Sequence, residues 1–110
     1  MQTIPLLSAP VKFSDGTTKT LSTEQLIMYC LDNPPEKGFT VSEMRARGRV
    51  ATAVEQVQEK RLTELVLEDA DFGTLKTCVG QMKWAVRSEF ILAFCEQFEV
   101  LDLTRKKNEP

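Results

Sequence analysis

The stretch Phe39-Thr40-Val41-Ser42-Glu43-Met44, continued by Arg45-Ala46-Arg47-Gly48, sets the reading of the whole chain. Thr40 and Glu43 have capping-box spacing: the threonine hydroxyl can accept an orphan N–H of a first helical turn while the glutamate reaches back to the cap. Phe39 and Met44 hold the two positions of a hydrophobic staple across the same boundary. A helix therefore starts at Thr40. Beyond it Val41, Met44, Gly48, Ala51, Val54 and Val57 recur at intervals of three and four through about Lys60, a narrow stripe of small residues expected to face the core.

Upstream, Ser22 and Gln25 repeat the capping-box spacing ahead of Leu26, Ile27 and Leu31, which predicts a helix over 23–32. Asn33-Pro34-Pro35 ends it, because proline lacks the N–H and pushes its predecessor out of the α region. Earlier still, Val11-Lys12-Phe13 and Thr18-Lys19-Thr20-Leu21 flank Ser14-Asp15-Gly16-Thr17. Asp-Gly between β-favouring residues signals a hairpin, since glycine takes positive φ without strain and aspartate tolerates it.

Downstream, Leu62-Thr63-Glu64-Leu65-Val66-Leu67 is short and β-prone; it reads as a strand, and pairing with the hairpin stays open. Glu68, Asp69 and Asp71 put negative charge where a helix dipole favours it, ahead of Phe72, Leu75, Val79, Met82 and Val86. Ser88 and Glu89 open a fourth helix with Ile91, Phe94, Phe98 and Leu101 inward and with Phe90 and Leu92 widening its apolar surface. The fold class is mainly α (α+β): about four helices, an N-terminal hairpin and the additional strand. Residues 1–21 form the hairpin or arm, 22–103 the helical body of the same domain, and 104–110 a polar flexible tail.

With 110 residues and 42% hydrophobic content, the chain can build one core and needs neither metal nor disulfide to do so. Fourteen basic against sixteen acidic residues leave a net charge of −2, so no global attraction to nucleic acid or anionic lipid is expected. No signal-peptide pattern opens the sequence and no apolar run is long enough to span a bilayer, which predicts no membrane association and a cytoplasmic location. Cys30, Cys78 and Cys95 are odd in number and set inside apolar helical patterns; they read as buried thiols in a reducing compartment.

Histidine is absent, which removes the commonest general base, the usual activator of serine and cysteine nucleophiles, and the commonest metal ligand. No C-x-x-C pair and no glycine-rich phosphate loop occurs, so no cofactor, metal or small-molecule substrate is implied. Glu68, Asp69 and Asp71 lack the spacing of a calcium loop and suit a helix start. The expectation is a protein that is not an enzyme.

Arg45, Arg47 and Arg49 form the one dense basic feature of the body. Two helices in series with arginines on the second resemble a helix-turn-helix, which makes a small DNA-binding transcriptional regulator the alternative function. Against it stand the long connector from Asn33 to Phe39, the favourable i,i+4 order of Glu43 and Arg47, and the acidic balance. A solvated, locally paired helix face is the preferred reading, and nucleic acid is disfavoured as a partner.

Phe72, Trp84, Phe90, Phe94 and Phe98 concentrate in the C-terminal half with Met82. Aromatic and methionine side chains favour interfaces, so Trp84, Phe90, Phe94 and Phe98 are the candidate partner surface, with packing into the chain's own core as the competing account. The partner is another protein or a second copy in a homo-oligomer. The opening Thr3-Ile4-Pro5-Leu6, the Val11-Lys12-Phe13-Ser14-Asp15-Gly16 turn and the stretch from Leu67 to Lys76 resemble small accessory proteins of tailed bacteriophages and prophages. That resemblance implies a non-enzymatic role in virion assembly or in binding a host or phage protein, and carries over no functional residue.

Overall fold

A computed structural model describes residues 1–84 and 87–108, with the backbone alone from residue 99 onward. The order is β1 (Gln2–Pro5), β2 (Ser8–Lys12), β3 (Thr18–Ser22), α1 (Thr23–Asp32), α2 (Val41–Glu59), β4 (Glu64–Leu67), α3 (Asp69–Gln81) and α4 (Glu89–Asn108), an α+β fold. Both expected helix starts are in place. Ser22 Oγ accepts from Gln25 N–H at 3.2 Å while Ser22 N–H donates to Gln25 Oε1 at 2.8 Å, a complete capping box. At Thr40 only half of the box forms: Oγ1 accepts from Glu43 N–H at 3.1 Å, but the Glu43 carboxylate takes the threonine hydroxyl rather than the cap N–H.

The buried face of α2 departs from the expected stripe. Arg47, Val50, Val54 and Val57 point inward, whereas Val41 and Met44 are exposed. The reason is geometric. Each step of three residues falls about 60° short of a full turn, so the repeated threes between Gly48 and Val57 wind the stripe around the cylinder. Only its second half can face the core. The far end of α2 closes through its own backbone: Arg61 N–H donates to the Gln58 carbonyl at 3.2 Å and Leu62 N–H to the Val57 carbonyl at 2.9 Å. This is a Schellman closure with Arg61, at φ 54°, in the left-handed position that glycine usually fills.

The hairpin pairs β2 with β3 antiparallel, Val11 opposite Lys19. Its turn has three residues rather than two. Phe13 N–H donates to the Thr17 carbonyl at 2.8 Å, Gly16 N–H returns to the Phe13 carbonyl at 3.0 Å, and only Gly16 takes positive φ (89°). Asp15 serves by hydrogen bonding instead, accepting from the Thr17 hydroxyl and N–H, and these bonds hold its carboxyl below the usual range.

The strand expected within 62–67 is β4, but it pairs with β1, Ile4 opposite Leu65, and not with the hairpin. Even-numbered residues of β1 face β4, since Leu6 N–H donates to the Thr63 carbonyl at 2.9 Å; odd-numbered residues of β2 face β3, as Phe13 does. Pro5 and Pro10 therefore fall where the nitrogen points away from the ladder, and the missing donor costs no bond.

One core gathers residues from every element, Ile4, Val11, Leu26, Val54, Leu75 and Phe94 among them. The third helix ends at Gln81, so Met82 terminates it, and Val86 lies outside the described residues. In the fourth helix Ile91, Phe94 and Phe98 are buried as expected, while the Leu101 side chain lies outside the described residues. The backbone of 104–108 belongs to α4, and residues 109 and 110 lie outside the description. Among the described residues no helix is long and apolar enough to cross a membrane.

Candidate interaction surfaces

Of the three clustered arginines, Arg47 has the most constrained environment. It is 7% exposed, and its Nη1 donates to the carbonyls of Asn33 at 2.8 Å, Leu31 at 3.0 Å and Cys30 at 3.4 Å. Those carbonyls end α1, whose last turn holds no basic residue of its own. A helix C-terminus leaves its last carbonyls unpartnered and carries partial negative charge, so a guanidinium from α2 satisfies both needs at once. Phe39 covers the other side, its ring centre 4.8 Å from the guanidinium carbon. The solvated pairing of Arg47 with Glu43 expected from their spacing gives way to this buried clamp.

The clamp removes Arg47 from any phosphate-contacting edge. Arg49 donates from Nε to Asp71 Oδ1 at 3.3 Å, bridging α2 to α3. Arg45 is exposed, and no ion pair involves it among the described residues. A cleft of about 380 Å³ opens beside the clamp, lined in part by Glu43, Thr77, Cys78 and Gln81. No buried polar side-chain atom among the described residues is left without a partner there or elsewhere.

The aromatic candidates divide. Phe94 and Phe98 are 2% and 1% exposed and belong to the core. Phe98 stacks on Phe72 and meets Phe94 edge-on, both at 5.2 Å, and Trp84 meets Phe94 edge-on at 6.4 Å. Such offset and edge-to-face contacts add to plain area burial and turn these rings inward. As partner-surface residues Phe94 and Phe98 are thus corrected.

Trp84 and Phe90 are half-buried, and Leu92 is 55% exposed. Trp84, Leu92 and Cys95 line two adjoining grooves of about 400 and 660 Å³, one reaching Val79 and Met82, the other Ile91 and Arg87. The sequence had marked Leu92 as widening the helix face; Cys95 on the rim had no such signal.

Burial makes Cys30 and Cys78 poor nucleophiles. Burial pushes Cys30 up to about 12, with the Cys95 and Cys78 thiols adding to the rise, and burial raises Cys78 as well. No disulfide links the three. Among the described residues no three metal-ligating side chains converge. Glu68 makes no side-chain cap bond, Asp69 lies 3.0 Å from the Met1 amino group, and Asp71 holds Arg49. No family model, no curated protein and no solved structure matches the chain.

Proposed function

We propose that this chain is a non-enzymatic protein–protein interaction or assembly protein of the cytoplasm, which receives a partner on the flank of α4 where Leu92 adjoins Trp84. The observation that carries the reading is Leu92, 55% exposed on the rim that the two grooves share with Trp84. Tryptophan is enriched among the residues that anchor interfaces, and Trp84, packed edge-on against Phe94, adjoins the exposed Leu92 here. The resemblance to phage accessory proteins supports a setting in virion assembly or in binding a host or phage protein.

Catalysis has little to draw on: there is no histidine, and two of the three thiols are buried and held protonated. The DNA-binding alternative is weakened because Arg47 is spent inside the fold.

The test compares wild type with Leu92→Lys and Trp84→Ala in light scattering and in partner capture, with and without mixed duplex DNA. A partner or assembly state lost in Leu92→Lys, and indifferent to DNA, supports the reading. If both variants keep assembly and capture intact, or if only DNA shifts the mass and does so salt-dependently, the reading fails.

A further inference from the structure

The outward face of α2 is separate from the Trp84–Leu92 rim. At 3.6 residues per turn, Val41, Met44, Arg45, Gly48, Thr52 and Glu55 share the side opposite Val50 and Val54. Val41 is 59% and Met44 53% exposed. Single exposed apolar residues need no explanation, but the order along this face does. Apolar and basic groups occupy its first half, and Thr52, Glu55 and Glu59 occupy its second.

That order works against the helix itself. Glu59 sits in the last turn, where the helix dipole disfavours negative charge, and the basic residues that follow it, Lys60 and Arg61, lie beyond the helix at its cap. Gly48 is equally unexplained by the monomer. A Cβ added there would meet nothing within 4 Å, so packing within the chain does not require glycine at a position where alanine holds a helix better.

The geometry points to a second copy of this chain as the occupant of this face, packed antiparallel about a two-fold axis near Gly48 and Thr52. In that register Arg45 of each copy meets Glu55 of the other, and Glu59 lies at the N-terminal end of the partner helix, where the dipole favours it. Gly48 falls opposite Thr52 and lets the backbones approach. The face is self-complementary in charge when antiparallel and self-repelling when parallel, as an isologous interface requires.

The test is sedimentation or light scattering of the full chain over a wide concentration range, at low and moderate salt. A dimer that weakens with salt is expected. Arg45→Glu and Glu55→Arg should each weaken it roughly tenfold or more, and an equimolar mixture of the two should form a heterodimer, because every pair is restored across it. Gly48→Leu should block dimerisation while its thermal melt shows an intact monomer. A wild type that stays monomeric throughout overturns the proposal, as does a mixture that fails to associate while each variant folds. A dimer abolished by Leu92→Lys but untouched by Arg45→Glu overturns it too, while leaving the α4 reading standing.

Discussion

The helices α1 and α2 finish in opposite ways. The first stops at a proline pair, and its last carbonyls are taken by the Arg47 guanidinium supplied from α2. The second closes on its own backbone, with Arg61 held at φ 54° to complete the loop of hydrogen bonds. One ending is delegated to a buried charge on another helix; the other is local and stores strain at one residue. A delegated ending couples two helices, so neither is at its full stability alone, whereas a local ending can be altered without its neighbours responding.

The sharpest way to break this contrast is Arg47→Leu. Leaving the carbonyls of Leu31 and Asn33 unpartnered inside the fold should cost about 2–4 kcal/mol in denaturant unfolding. Arg47→Lys should recover only part, because an ammonium lacks the planar guanidinium face that packs against the Phe39 ring. Stability equal to wild type in Arg47→Leu would mean that α1 needs no outside cap.

Smaller and opposite in sign, Arg61→Gly should gain about 1 kcal/mol by relieving left-handed strain, raising the unfolding midpoint; a loss would show that the Arg61 side chain matters more than its backbone. Next comes the start of α1. Ser22→Ala should cost about 1 kcal/mol and Thr40→Ala somewhat less, since only Ser22 completes a reciprocal box. Equal losses would mean that the second bond of the box adds nothing.

What could be read in advance follows the same division. Ser22, Gln25 and Thr40 act within a few residues of themselves, and the spacing alone locates both helix starts; Asn33-Pro34 does the same for the end of α1. The β-prone run Leu65-Val66-Leu67 announces a strand, but a strand's partner is a long-range fact, and β1 was no more marked than the hairpin as its mate. Arg47 was hidden for another reason. Charge normally means solvent, and nothing in the order of residues says that three carbonyls of α1 will converge on one position of α2.

The candidate surface was legible only in part. Ring content marks Phe94 and Phe98 for burial or for an interface with equal force, and the ring contacts with Phe72 and Trp84 decide it. Leu92, two residues before Phe94, is left facing outward.

The pairing of β1 with β4 also has a consequence in time. The ladder of the hairpin joins residues no more than 14 apart, and every residue of β2, β3 and α1 has been made by residue 32, although the end of α1 still waits for Arg47. Residues 2–5, by contrast, must wait for 64–67 to leave the ribosome before their hydrogen bonds have anywhere to go. Closing so long a loop is slow more than it is unfavourable, and through that interval residues 2–5 have no strand to pair with until β4 arrives.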